Sequence, residues 1–489
     1  MTSGSNQNKP VIMLLIDTLM NPPLQEALKN GKAKAFQFFA ENGQYIPDMV
    51  SPFPTMSVNV DSTLLMGVYS DQHKVPGLVW YHKNENRIVN YGSHVRELYR
   101  LGTKRSVVDI FYRLNNEHLS KEQKTLHEIL KEQGKPTASI NTLIYRGSEP
   151  TQLKIPFLLS LITGLKRRYD VMAPTHLSYG SMSKQNPHNR AFIWQKYGFN
   201  NQFAVNELKY LIEKKKLPAY SLVYFSDSDK SFHKNGPMDV TAIEKTDQQL
   251  QTLLNTFPSW ENAIEDYVWI IIGDNGQAWV DKDKNKALID LRTLLSSYKI
   301  PKLKATITSE DQIVLGVNER MSFIYTLHPN HITFKEIAEI LQQDSRIDVI
   351  AWRENDKIHV CSGIHKGELH FKPDGNLIDP YGQAWSVEGE NEILDLSIEG
   401  NQIRYGDFPD ALQRLYTSFF SHEGDYLVVS AKPGYEFIGE GSPTHIGGAS
   451  HGGLHKQDSL VAMIVSGTNT LPKYNRIKDI KDWVLSMLA

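Results

Sequence analysis

The sequence predicts an α/β protein: an α/β/α sandwich around a mostly parallel central sheet, with a smaller β-rich insertion. Two observations carry this reading. Three continuous apolar runs end in acidic residues, and amphipathic stretches of helical period lie between them. Val11 to Ile16 leads into Asp17, Tyr220 to Phe225 leads into Asp227 and Asp229, and Tyr267 to Ile272 leads into Gly273, Asp274 and Asn275. Uniformly apolar runs of this length read as strands covered on both faces. Strands alternating with helices place a ligand outside the strand ends, where the acids stand.

The helices follow from their end signals. Leu24 to Asn42 is predicted to close on Gly43, Thr125 to Gln133 to close on Gly134, and Asp239 to cap a helix carrying Ile243, Leu250 and Leu253. Residues 147–202 read as a lid-like insertion. Within them Ile155 to Leu165 is apolar on all sides and ends in Lys166-Arg167-Arg168, which is either a packed helix with a basic end suited to its dipole or a lid touching a lipid-like substrate. From Ile347 to Tyr405 short alternating strands are punctuated by Pro373-Asp374-Gly375-Asn376 and Glu399-Gly400-Asn401. The α/β pattern is expected to return near Asp425, with strands at Leu427 to Ser430 and Leu460 to Ser466 and a closing helix from Arg476 to Leu488. The predicted organisation is a core over residues 1–280, an insertion or cap over 281–425 that is β-rich from about 347, and a second core segment over 426–489.

Composition excludes several functions. With 53 Lys and Arg against 55 Asp and Glu in 489 residues, the net charge is −2, without the basic excess that general nucleic-acid binding needs. The single cysteine, Cys361, excludes an intrachain disulfide and a cysteine-rich zinc module, so a metal site must use His and carboxylates. The run Val11 to Ile16 is too short for a signal-peptide core, and no later stretch reaches the ~20 apolar residues of a membrane-spanning helix. The expectation is a cytoplasmic protein with no membrane span.

The acids and histidines point to phosphate-ester chemistry. Hydrolysis of such esters requires charge neutralised on the transferring group, which paired cations held by His and carboxylate achieve while activating a hydroxyl. Asp229 and His233 are four residues apart just past a strand, so a helical turn faces both toward one point. His451 lies in Gly448-Ala-Ser-His-Gly-Gly453, where glycines permit close approach of the backbone to a ligand. Asp17 and Asp274 each follow an apolar run.

The order of these motifs is similar to that of the alkaline phosphatase superfamily: Ile16-Asp17, Pro54-Thr-Met-Ser57 with Gly67 ten residues later, Asp229-x-x-x-His233, Asp274-Asn275-Gly276 and Ser450-His451-Gly452. The branch resembled is the type I phosphodiesterase/nucleotide pyrophosphatase group. The resemblance implies one metal ion held by Asp229, His233 and His451. It implies a second held by Asp17, Asp274, Asn275 and the oxygen of the nucleophile. Ser57 is that nucleophile when counted back from Gly67, with Thr55 as the alternative. Asp227 and His445 are expected in supporting positions, and His455 is a weaker candidate.

Two departures from the branch are visible. Asn275 stands where phosphodiesterases keep His, as in sulfatases; yet Ser57-Val-Asn-Val-Asp61 lacks the Pro or Ala and the Arg that formylglycine formation in sulfatases requires. An amide at 275 makes the second site all-oxygen, favouring Mn²⁺, Mg²⁺ or Ca²⁺ over Zn²⁺, while the first site suits Zn²⁺ or Mn²⁺. The family's phosphate-holding Asn falls on Leu78, with Asn84 and Asn86 as nearby substitutes. The function implied is a metal-dependent phosphodiesterase working on a small phosphorylated substrate through a phosphoseryl intermediate. The alternatives are a phosphomonoesterase, phosphonate hydrolase or mutase on the same core, and a non-catalytic, metal-poor binding protein.

Overall fold

A computed structural model describes residues 9–93, 97 and 101–489, Thr103 by its backbone alone. The central sheet has seven strands: β1 (Val11–Ile16), β2 (Gly43–Val50), β3 (Thr137–Ile140), β4 (His176–Ser178), β5 (Tyr220–Phe225), β6 (Val268–Gly273) and β7 (Leu460–Ser466). Their order is β2-β7-β6-β1-β5-β3-β4. Pairing is parallel from β6 through β4, whereas β7 is antiparallel to both its neighbours, β6 and β2. Along β1, Val11, Met13 and Leu15 join one core and Ile12, Leu14 and Ile16 join another, so both faces of the sheet are dry.

Helices cover those faces: α1 (Asn21–Lys29), α2 (Lys34–Glu41), α4 (Asn201–Glu213) and α6 (Val240–Leu254) on one, and α3 (Ser57–Met66) and α7 (Ile480–Leu488) on the other, with α5 (Asp227–Asn235) at the strand ends. Asp239 caps α6 through the Thr241 amide at 3.0 Å, and Thr125 and Glu128 form a capping box on the helix Leu126–Glu132. The single helix predicted from Leu24 to Asn42 is two. Gly31, at φ +65°, ends the first turn sequence, and Gly43 opens β2 instead of closing a helix.

The second sheet has nine strands and starts at Ile313, earlier than the predicted 347. Strand Tyr426–Ala431, expected in the second core segment, belongs to this sheet, between Met321–Thr326 and Ile347–Glu354. The physical reason is burial on both sides. Phe323 and Val428 pack into one core while Ile324, Leu427 and Val429 pack into another, so these antiparallel strands have the unbroken apolar pattern of parallel ones. Pro373 to Asn376 is a register shift within the strand Leu369–Ile378, with Asp374 at φ +63°, while Glu399-Gly400-Asn401 does turn a hairpin.

In the 147–202 region, strands Glu149–Lys154 and Arg168–Ala173 pair around a short helix, Phe157–Thr163. The helix is not buried on all sides. Leu159 faces a cleft, while Phe157, Leu161 and Ile162 are exposed. Among the described residues no helix is long and apolar enough to cross a membrane.

One buried ion pair fastens the second sheet to the central one. Arg320, in the turn between Ile313–Asn318 and Met321–Thr326, donates from Nε to Asp458 Oδ1 at 2.8 Å, from Nη1 to the carbonyls of Lys432 and Tyr435, and from Nη2 to that of Ala431. Both side chains are fully buried. Its own amide donates to the His451 carbonyl at 3.0 Å, so the clamp reaches the histidine loop. Asp458→Ala leaves a buried guanidinium without its counter-charge and is expected to lower the unfolding free energy by about 3–5 kcal/mol, read by urea denaturation.

Candidate functional site

The register of the central strands assembles the acids. Ile16 is opposite both Gly273 and Phe225, so β1, β5 and β6 end at one level. Asp17 and Asp274 leave the sheet side by side, and the chain past β5 enters α5, which presents Asp229 and His233 on one turn. Ser57 begins α3, and His451 arrives on the loop before β7. Asp17, Ser57, Asp229, His233 and His451 all open onto one cleft of about 1180 Å³.

Asp229, His233 and His451 meet as the sequence predicted. Asp229 Oδ1 lies 3.1 Å from His233 Nε2 and 3.7 Å from His451 Nε2. Each imidazole is oriented from behind: His233 Nδ1 bonds the Ala449 carbonyl and His451 Nδ1 the Thr55 carbonyl, both at 2.7 Å. Committing Nδ1 to a carbonyl leaves Nε2 for a cation, the arrangement that fixes metal-ligating histidines. Burial disfavours charge on both Asp229 and His233, yet their mutual attraction prevails. Asp229 is held below its ordinary range, and Asp229 with Glu319 carries the His233 imidazolium up to about 10.

The second group is more deeply placed. Asp17 Oδ2 accepts from the Tyr224 hydroxyl at 2.5 Å while Oδ1 has no partner. Asp274 Oδ1 accepts from the amides of Thr18 at 2.9 Å and Asn275 at 2.7 Å, and its buried Oδ2 has no hydrogen-bond partner. The neighbouring Ser57 hydroxyl works against that burial by lowering Asp274. Burial, then the neighbouring acids, raises Asp17 well above its ordinary range; burial likewise raises Asp274. Buried carboxylate oxygens lacking donors fit a divalent cation, which neutralises them without a proton.

Other predicted residues sort clearly. Thr55 is fully buried, its hydroxyl accepting from the Gly452 amide at 2.8 Å and its carbonyl holding His451. Asn275 is buried beside Asp274. Its side-chain oxygen accepts from the Thr18 hydroxyl at 3.1 Å, so the oxygen expected to ligate is already engaged. Asp227 does not join the group; it accepts from the Asn201 amide and pairs with Lys196. His445 does, its ring stacked on His233 at 4.0 Å and its Nδ1 bonded to Glu436 at 2.8 Å. His455 instead caps the short turn Lys456–Ser459. Leu78 lines the cleft, while Asn84 bonds Glu423 and Asn86 bonds the Ile307 carbonyl. The glycines around His451 serve protein packing: a side chain at 448 would strike the His233 carbonyl, and one at 452 the Asn318 carbonyl.

Five residues were missed. Glu319 sits in the hairpin turn at φ +56°, accepts from Ser450 Oγ at 2.7 Å, and lies 4.0 Å from His233 Nε2. Burial opposes its charge, but His233, His445 and His451 hold it well below the usual carboxylate range. Gln277 donates to Asp229 Oδ1 at 2.7 Å and to Thr18 Oγ1 at 3.0 Å. Thr18 itself, at φ +67°, and Tyr224 hold Asp274 and Asp17. Asp61 is a further fully buried acid, one helical turn after Ser57. Its Oδ1 is unpartnered and burial raises it well above its ordinary range. The only sequence signal for Glu319 is the polar step Asn318-Glu319-Arg320 between two apolar runs.

The doubly covered α/β sheet and the acids and imidazoles gathered at its strand ends agree with the phosphate-ester hydrolase expected from the sequence. A family model for type I phosphodiesterase/nucleotide pyrophosphatase matches residues 11–453, and the chain belongs to that family. The fold is similar to that of murine ectonucleotide pyrophosphatase/phosphodiesterase 5, with a TM-score of 0.57 and 12% identity over 98% of this chain and 95% of the other. An inactive murine form in complex with AMP gives 0.56 at 12% identity, covering 99% and 95%. The human protein gives 0.56 at 12% identity, covering 98% and 95%. No curated protein sequence matches significantly.

A cation held by Asp229, His233 and His451 would compete with a proton, because Asp229 and Glu319 push the His233 imidazolium up to about 10 and a ligating imidazole must be neutral. Zn²⁺ affinity at Asp229, His233 and His451 is therefore expected to rise by about tenfold per pH unit through the neutral range, with release of about one proton per ion. Calorimetric titration in buffers of different ionisation enthalpy checks this, and a pH-independent affinity with no proton release contradicts it.

Proposed function

We propose that the chain is a two-metal phosphodiesterase with Ser57 as nucleophile. The observation that carries this is Ser57 at the N-terminus of α3, opening onto the cleft and neighbouring Asp274. Thr55, the competing hydroxyl, is fully buried and occupied with the His451 loop. Asp229, His233 and His451 would hold one ion, Zn²⁺ or Mn²⁺. Asp17, Asp274 and Ser57 would hold the other, for which oxygen ligands favour Mn²⁺, Mg²⁺ or Ca²⁺ and leave Zn²⁺ possible chemically. Asn275 supports the second site by bonding Thr18, whose amide in turn holds Asp274. When bound, the ions supply neutralisation of the phosphoryl oxygens and a lowered pKa for the attacking hydroxyl.

The chain's own groups supply the rest. Ser57 Oγ attacks phosphorus in line; the Oγ–P bond forms as the P–O bond to the leaving alcohol breaks, and the alcohol departs with a proton. Water then attacks the phosphoserine, releasing a phosphate monoester and restoring the hydroxyl. With Ser57 as nucleophile, the phosphoryl group would sit at the N-terminus of α3, where anions are favoured. His233 and His451 keep their orientation through the Ala449 and Thr55 carbonyls.

The cleft also bears on the substrate. Leu78, Ile110, Phe111, Leu143, Leu159 and Phe199 give it a wide apolar wall, and Leu78 occupies the place where the resemblance puts a phosphate-binding amide. These features favour a small diester with an apolar or aromatic group. The AMP bound by the murine relative supports a small phosphate ester as ligand.

Ser57→Ala is expected to reduce turnover of bis-p-nitrophenyl phosphate by about 10³-fold or more while the ion at Asp229, His233 and His451 stays bound, as removal of a nucleophile does. Thr55→Val is expected to act differently, losing activity together with metal as His451 shifts. Full activity in Ser57→Ala contradicts the assignment of the nucleophile, and elemental analysis of the same samples finding no metal in active protein contradicts the two-ion reading.

A further inference from the structure

The second sheet carries a histidine and carboxylate cluster that the catalytic reading does not use. His359, on the strand Lys357–Cys361, is directly opposite His370, on the antiparallel strand Leu369–Ile378. Their rings are 4.3 Å apart. Glu368, two residues before His370 and so on the same face of the extended chain, reaches between them. Its Oε1 lies 2.6 Å from His359 Nδ1 and 2.7 Å from His370 Nε2. The first of these is a hydrogen bond. The second is not: His370 Nε2 is shielded from solvent and, despite the short distance, has no hydrogen-bond partner. The three ligand atoms lie within 4.8 Å of one another.

We propose that His359, Glu368 and His370 form a binding site for a single transition-metal ion of the zinc class, separate from the catalytic pair. Ligands about 2.0–2.2 Å from a tetrahedral ion stand roughly 3.3 Å from one another. The present separations therefore need only a small opening of the two rings, not movement of the backbone. The surroundings are prepared for it. Trp352 is opposite His359 on the next strand and stacks on its ring at 5.3 Å and 21°, fixing its plane. The nearby lysines are neutralised, Lys357 by Glu388 at 2.8 Å and Lys372 by Asp356. Glu354 Oε2 lies 3.9 Å from His359 Nε2, so the local field around the imidazoles is acidic. The side chains are partly exposed, His359 by 17% and His370 by 32%, so the opening of the rings that uncovers His370 Nε2 would also admit the ion and the water that completes its coordination. Two imidazoles with one carboxylate select Zn²⁺, Co²⁺ or Ni²⁺ over Mg²⁺ and Ca²⁺. An ion here would join the two strands on either side of the 362–367 loop and stabilise the accessory sheet.

The test uses the full chain, stripped with a chelator and titrated with Zn²⁺. His233→Gln/His451→Gln, which weakens the first catalytic site, is expected to retain a zinc equivalent that disappears when His359→Gln/His370→Gln is added. Zinc is expected to raise the melting temperature of the former variant and not of the latter. Glu368→Gln, which alters one atom of the cluster, is expected to weaken that binding at least about tenfold with an unchanged melting temperature in the absence of zinc, which guards against misfolding of the histidine variants. Equal zinc stoichiometry and equal zinc-induced stabilisation with and without His359 and His370 overturn the proposal, as does unchanged zinc affinity in a folded Glu368→Gln.

Discussion

The site is governed by negative charge buried without cationic side chains. Asp17, Asp61 and Asp274 are withdrawn from solvent, each has an oxygen lacking a donor, and among the described residues none forms a salt bridge with Lys or Arg. Removing one carboxylate from water costs several kcal/mol, and placing others beside it adds repulsion. Two outcomes relieve this: uptake of protons, as the raised range of all three acids records, or uptake of cations. Asp229 follows the first route through its neighbour, existing as an ion pair with protonated His233. A metal ion does the same work more completely, satisfying several oxygens at one point. The fold therefore gathers a destabilising set of acids whose natural complement is divalent.

The rest of the structure keeps that set from relaxing. Parallel pairing of β1 with β5 and β6 leaves no freedom in where Asp17 and Asp274 emerge, since a shift in register would move every strand side chain. The histidine loop has no such framework, and its place is set from outside. Arg320 binds Asp458 and donates its amide to the His451 carbonyl, Thr55 bonds both His451 and Gly452, and Glu319 accepts from Ser450. The accessory sheet thus acts on the site through one hairpin turn, in which Glu319 holds Ser450 and Arg320 holds Asp458 and the His451 carbonyl.

Legibility in the sequence followed the physics. Strands β1 and β5 were readable to the residue because both faces are buried and the acid marks the end. Asp229 with His233 was readable because helical spacing makes the pair local. The same rule misled at Tyr426–Ala431, since an antiparallel strand covered on both sides carries no alternation. Glu319 and Gln277 escaped because their roles arise from contacts 48 to 259 residues away in the chain, or from a turn whose neighbours supply no period. Ser57 and Thr55 belong to one short motif, and only the fold shows that the Thr55 hydroxyl is enclosed.

Asn275 illustrates how far a single exchange propagates. A histidine there could present an imidazole nitrogen; the amide instead takes the Thr18 hydroxyl, which also receives Gln277, which in turn donates to Asp229. A chain of hydrogen bonds thereby connects the two groups of acids that the catalytic proposal assigns to separate ions. Thr18 occupies its place at φ +67°, an unfavourable conformation for a β-branched residue, and its amide is what holds Asp274. Loss of an imidazole at 275 has thus not left a void. The polar groups around it form a continuous support for Asp274 and Asp229.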